Sequence, residues 1–162
     1  MTVRKATEKD IDKMMVVYAR AKELMDENGN PTQWRKGYPT RDMIMMDVAS
    51  DCSYVIEERG IIHAAFFFKE WEDPTYKVIV DGNWKNTFPY GVIHRVASDG
   101  TLRGVMDTIV GFCKEKTRNL RCDTHEDNKV MQHCLEKNGF ERCGIIFVHG
   151  DSPRIAYQWC EA

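Results

Sequence analysis

The stretch Val92-Ile93-His94-Arg95-Val96-Ala97-Ser98-Asp99-Gly100-Thr101-Leu102-Arg103-Gly104-Val105-Met106-Asp107-Thr108 passes from an apolar segment through a polar turn into a helical pattern. Val92, Ile93 and Val96 favour extended backbone, and Ser98-Asp99-Gly100 supplies turn residues. A helix that begins directly after a strand offers unpaired backbone N–H groups and a positive dipole end to an anion, and Gly104 lets that backbone approach closely. The segment reads as a phosphate cradle or as an ordinary strand-to-helix turn, because it holds no full G-x-G-x-x-G.

Further along, Cys122-Asp123-Thr124-His125-Glu126-Asp127-Asn128 leads into a helical run that closes with Lys137-Asn138-Gly139-Phe140. Together the two segments resemble the GNAT superfamily of acyl-CoA-dependent N-acyltransferases. Arg103 takes the first place of that family's R/Q-x-x-G-x-G/A motif, with Met106 and Thr108 where small residues are usual. Asn128, Met131, Lys137, Gly139 and Phe140 match the second motif, an Asn opening a helix that ends in Gly-Phe. The tyrosine that serves many members as acid for the departing thiolate falls on Leu135.

Outward from these segments, Thr2 to Ala6 reads as a strand, and Thr7 followed by Asp10 resembles a capping box. Ile11, Met14, Tyr18, Leu24 and Met25 recur at helical spacing to about residue 26, where Asn28-Gly29-Asn30-Pro31 stops the helix. Thr40 caps a second helix with Met43, Ile44, Met46 and Val48 on its buried side. Tyr54–Glu57 and Ile61–Lys69 form a hairpin about Glu58-Arg59-Gly60. Glu70–Pro89 is a broken arm in which Tyr76–Val80 extends a strand. Tyr90–Ala97 is the central strand, Thr101–Lys116 a helix, Leu120–Thr124 a strand and Asn128–Asn138 a helix. Phe140–Val148 and Arg154–Cys160 pair through His149-Gly150-Asp151-Ser152. That order covers the chain as one domain, 1–162, and is the order of the GNAT fold. The resemblance implies an α+β architecture: a mostly antiparallel sheet of seven strands, splayed between the fourth and fifth, with four helices.

Composition bounds the partners. The 162 residues are 43% hydrophobic with a net charge of -2, and no basic block points to nucleic acid or an anionic membrane. The longest apolar run, Ile61–Phe68, is too short to span a bilayer, and the N-terminus carries no apolar signal region, so a cytoplasmic protein with a small-molecule partner is expected. The six cysteines are scattered without a Cys-x-x-Cys pair and read as reduced core thiols. Cys122 and His125 fit no common zinc spacing, so no metal is expected.

Attack of a neutral amine on a thioester needs a group to hold the carbonyl, one to remove the ammonium proton and one to assist the thiolate. The resemblance implies acetyl-CoA as co-substrate, with pantetheine along Val96, Ala97 and Ser98 and the carbonyl near the Val96 N–H. It places the pyrophosphate over Gly104, Val105, Met106, Asp107, Thr108 and Ile109 beside Arg103, with Asn128 touching pantetheine or orienting the adjoining strand. Base candidates are His94, Glu70 and Glu72, though alternation sets His94 with Val92 and Val96 and equally permits a core histidine. Tyr157 and Tyr90 are candidate acids, and direct thiolate release needs neither. Trp34 and Tyr38, with Trp71 and Trp84, are candidate walls of an acceptor pocket, with Asp42, Asp47 or Glu72 attracting an ammonium. The function implied is acetyl transfer to a primary amine of a small molecule or peptide by direct attack in a ternary complex. The alternative is a non-catalytic acyl-CoA sensor. Resemblance also permits a homodimer through edge strands or the C-terminal hairpin.

Overall fold

Residues 1–162 are described by a computed structural model, in which β1 spans Thr2–Lys5, α1 Ile11–Glu27, α2 Arg41–Ala49, β2 Ser53–Glu58 and β3 Ile61–Glu70. The chain continues with β4 at Gly91–Ser98, α3 at Val105–Lys114, β5 at Asn119–Thr124, α4 at Lys129–Lys137, β6 at Glu141–Val148 and β7 at Ser152–Cys160. The seven strands form one sheet in the order β1-β2-β3-β4-β5-β7-β6, and β4–β5 is its parallel pair. β2 and β3 are joined by Arg59 and Gly60, both at positive φ, the two-residue geometry whose twist suits a hairpin.

Alternation divides the core into two faces. Met14, Val17, Tyr18 and Ala21 of α1 and Ile44 of α2 pack on Val55, Ile62, Ala65 and Ala97. Ile109, Val110 and Cys113 of α3 and Leu135 of α4 pack on Ile56, Phe66, Ile93, Leu120, Cys122 and Tyr157 from the other side. Each large side chain so buried contributes roughly 1.5–3 kcal/mol. No helix is long and apolar enough to cross a membrane.

Two irregularities interrupt the regular sheet around β4. In the β3–β4 ladder Ala65 pairs with Ala97 but Phe67 with His94, so β4 carries one extra residue, with Arg95 at φ 48°. The bulge resets alternation: Ile93 and Val96 face α3 and α4, whereas Val92 sits with Tyr76 and Tyr90 on the opposite face. His94 therefore shares a face with Val92 but not with Val96, correcting the simple alternation. The second irregularity is the splay. β4 and β5 pair only at Gly91–Leu120 and Val92–Arg121, so the rest of β4 has no neighbour there.

Three sequence expectations need correction. α3 begins at Val105 rather than Thr101, because Gly104 is left-handed (φ 73°, ψ 21°) and Asp99 Oδ1 accepts from both the N–H and hydroxyl of Thr101, holding a turn. Tyr76–Val80 is not a strand: Pro74–Tyr76 makes a 3₁₀ turn capped by Asp73, and Val80 makes a single bridge to Ile145. Met46 is 70% exposed, and Ile44 is the buried anchor of α2.

Candidate functional site

A cleft of about 990 Å³ opens where β4 and β5 part. At one end it is lined by Gly104, Val105, Met106 and Asp107 of the α3 start and by Met131, Cys134 and Lys137 of α4. No side chain caps α3. Its first N–H groups have no intrahelical acceptors and are available to an anion. A Cβ on Gly104 would meet nothing within 4 Å, so the positive φ rather than crowding demands glycine in the free protein. Asp107 would oppose an anion here, but Asn138 and Lys137 each donate to its carboxylate at 2.9 Å and hold its pKa below the usual carboxylate range.

The middle of the cleft holds His94. Its Nε2 lies 2.6 Å from Asp73 Oδ2, and Asp73 is 3% exposed. Burial alone would raise the Asp73 pKa, but hydrogen bonds from His94 and Thr75 outweigh it and leave the group below its ordinary value. An ionised carboxylate only accepts, so Nε2 carries a proton and Nδ1 is the ring nitrogen free to accept one. Nδ1 faces Asp123 Oδ2 at 3.8 Å, and that oxygen accepts the Tyr76 hydroxyl at 2.7 Å. Buried Tyr76 has its pKa pushed well up, first by burial and then by Asp123. The Tyr90 hydroxyl accepts the N–H of Asp73 at 3.0 Å and so secures the arm beneath His94.

The loop between α1 and α2 closes the far end through Gln33. Its Oε1 accepts from Asn30 Nδ2 at 2.9 Å, Asn128 Nδ2 at 2.9 Å and Thr124 Oγ1 at 3.3 Å, joining the loop to both β5 and α4. Asn128 also caps α4, its Oδ1 accepting the Met131 N–H at 3.0 Å. Asn30 Oδ1 is buried at the cleft wall without a partner. Trp34, 6% exposed, packs between Tyr18 and Tyr38 and lines the cleft. At the bulge, Arg95 reaches both oxygens of Asp47 at 2.9 Å, and its carbonyl accepts the Tyr18 hydroxyl at 3.2 Å.

The candidates from sequence divide accordingly. His94, Val96, Ser98, Gly104, Val105, Met106, Asp107, Asn128, Trp34, Tyr38 and Trp71 line one cleft. Ala97 and Ile109 are core residues, Arg103 is exposed just before Gly104, and the Thr108 hydroxyl is turned onto Gly104 O. Glu70, the last residue of β3, and Glu72 are exposed and lie off the cleft, which Lys69, Trp71 and Asp73 line from the same stretch. Tyr157 is buried against α4 with its hydroxyl on Glu136, and Trp84 packs on Tyr76 and Arg121; neither lines the cleft. Leu135 is fully buried in the core and does not reach the cleft, which Met131, Cys134 and Lys137 of the same helix line. Asp47 is taken by Arg95, and Asp42 is exposed. Sequence reading missed Asp73 and Asp123 as site residues. The signal for Asp123 is its place beside Cys122 on a strand end, pointing to the opposite face; Asp73-Pro74 looks only like a break.

Among solved structures, the chain is similar to a GNAT-family acetyltransferase from Streptococcus agalactiae, at 29% identity and a TM-score of 0.90 over 99% of this chain and 95% of that one. It is also similar to a putative acetyltransferase from Staphylococcus aureus, at 22% identity and a TM-score of 0.71 over 99% of both chains. A GNAT-like decarboxylase in complex with isobutyryl-CoA shares the fold at 14% identity and a TM-score of 0.70, again over 99% of both. No family model and no curated protein matches the sequence.

Proposed function

We infer that this chain, which belongs to the GNAT superfamily of acyl-CoA-dependent N-acyltransferases, moves an acetyl group from acetyl-CoA to a primary amine by direct attack within a ternary complex. The observation that carries this reading is the placement of the His94–Asp73 pair beside the unpaired edge of β4, in the cleft that also holds the uncapped start of α3.

The parts have separate tasks. The α3 N-terminus, from Gly104 to Asp107, binds the pyrophosphate, with Lys137 adding positive charge at the rim. The free edge of β4 from Val96 to Ser98 pairs with pantetheine, and the Val96 N–H donates to the thioester carbonyl as negative charge develops there. Asp123 draws the ammonium form of the acceptor, and His94 Nδ1 takes its proton. The amine lone pair then attacks the carbonyl carbon, the N–C bond forms and the C–S bond breaks. Asp73 steadies the imidazolium through Nε2. A thiol has a pKa near 8.5, so its anion is a tolerable leaving group without a tyrosine acid, consistent with Leu135 lying in the core.

The test is to incubate the protein with acetyl-CoA and a panel of primary amines, following thiol release and N-acetylated product. Stoichiometric release of both supports the reading. Tight acetyl-CoA binding without turnover on any amine would favour the acyl-CoA sensor instead.

A further inference from the structure

Two arginines are buried without a carboxylate partner, and their surroundings differ. Arg121, 5% exposed, lies between the ring faces of Trp84 at 4.2 Å and Tyr90 at 4.0 Å, which stabilise its charge. Arg154, 4% exposed, has no such rings. Its Nη1 donates to Ser152 Oγ at 2.8 Å and Pro153 O at 2.9 Å, and its Nη2 to Gln33 O at 3.0 Å. All three acceptors are neutral. Asp123 acts on Arg154 only through space, with no hydrogen bond between them, and burial outweighs that attraction and holds the Arg154 pKa below its ordinary value, so the guanidinium lacks a contacting counter-charge.

The group that would complete it is set by where Arg154 stands. It lines the cleft that holds His94 and Asp123. Asp123 pairs with Ala156 across the β5–β7 ladder, so Arg154, two residues before Ala156, projects from the same sheet face, roughly 7–8 Å from Asp123 along the diagonal. The charge of Arg154 also reaches His149, which is held below its ordinary pKa by burial and then by Arg35 and Arg154, against the opposing pull of Asp123. The acceptor end thus offers a carboxylate to an ammonium and, one residue's length away, a guanidinium to an anion. A plain amine would leave Arg154 without a contacting anion, and a plain acid would leave Asp123 with only the Tyr76 hydroxyl and the His94 ring beside it.

We propose that the acceptor is a zwitterion of the amino-acid type, its carboxylate received by Arg154 and its amine held at Asp123 beside His94. This rests on the proposed acetyl transfer and leaves its bond changes unaltered: N–C forms, C–S breaks, and the ammonium proton passes to His94.

The test compares, in the wild-type protein with acetyl-CoA, the L-amino acids with their carboxamides and with the decarboxylated amines of the same side chain. The amino acids are expected to show a kcat/KM about tenfold or more above both analogues. Arg154→Gln should bring that ratio to within about twofold while leaving the acetyl-CoA Kd unchanged, and Arg154→Lys should keep part of it. Should Arg154→Gln fail to fold, the wild-type ratio still decides. Equal rates, or a preference for the carboxamides, which mimic the N-terminal residue of a peptide, would overturn the zwitterion and leave acetyl transfer standing. Binding of acetyl-CoA with no turnover of any amine would overturn both.

Discussion

His94 stands immediately before the extra residue of the β4 bulge, which separates its face from that of Val96. Because Asp73 fixes the proton on Nε2, removing the imidazole removes the acceptor for the ammonium proton without touching the α3 end of the cleft. His94→Gln is expected to lower kcat by roughly 10²–10⁴ with the acetyl-CoA Kd within about threefold, read by thiol release and calorimetry. A kcat within about twofold of wild type would remove His94 as the base. Trp34 combines two roles, since it lines the cleft yet is 6% exposed between two tyrosines. Trp34→Ala should cost about 3–5 kcal/mol in denaturant unfolding, as for a core tryptophan, and raise the acceptor KM in the protein that remains folded. A loss below roughly 1 kcal/mol would mean that the loop relaxes around the gap.

Two glycines decide how the helices and the arm are used. Gly104 is left-handed where α3 begins, and Gly104→Val would strain that turn and place a branched side chain over the helix N–H groups. Acetyl-CoA affinity of the folded variant should fall by about tenfold or more by calorimetry; unchanged affinity would remove this helix end from the binding site. Gly82 holds the arm against β6. A Cβ there would lie 1.9 Å from the Cys143 carbonyl oxygen, so Gly82→Ala must lift the chain beside the Val80–Ile145 bridge. The same arm carries Asp73 and Tyr76 to His94 and Asp123. The variant should therefore lose roughly 1–3 kcal/mol of stability and several-fold in kcat while keeping its acetyl-CoA Kd. An equal loss of acetyl-CoA affinity would show that the arm supports both ends of the cleft.

Across the molecule, acid should act through carboxylates that folding holds ionised. The Arg4 guanidinium is the main cause that takes Asp10 down to about 2. Asp73, Asp99 and Asp107 are also lowered, the first two against the opposing effect of burial. Asp47 runs the other way, its burial outweighing Arg95. A depressed carboxylate stabilises above its unfolded pKa, near 3.9, and that stability is lost as pH falls through the folded value. The Tm should thus fall slightly from about pH 7 to 5, where His149 must charge against its lowered pKa, and more steeply between about pH 4 and 2, less so in Arg4→Met, where Asp10 loses its partner. A Tm that rose as pH fell from about 6 to 4 would assign the balance to Asp47, whose raised pKa places its gain above the unfolded carboxyl value.

Periodicity and turn chemistry carried the element order, because Ile11–Met14–Tyr18 spacing, the Thr40 cap and the Arg59-Gly60 turn are set by neighbours a few residues away. The α4 start was legible for the same reason, with Asn128 at the helix opening, whereas the α3 start reads as Thr101 rather than Val105 because the turn held by Asp99 and Gly104 looks helical in sequence. Non-local events were not. The bulge that frees His94 from the face of Val96 shows only in the register between β3 and β4, and the splay only in where β4 and β5 stop pairing. Asp73 and Asp123 reach His94 from 21 and 29 positions away, Gln33 meets Asn128 across 95, and Arg154 meets Gln33 across 121. Local preference sets which segment becomes a helix or a strand; long-range packing sets which charges are buried together, and so which carboxylates, imidazole and guanidinium share the cleft.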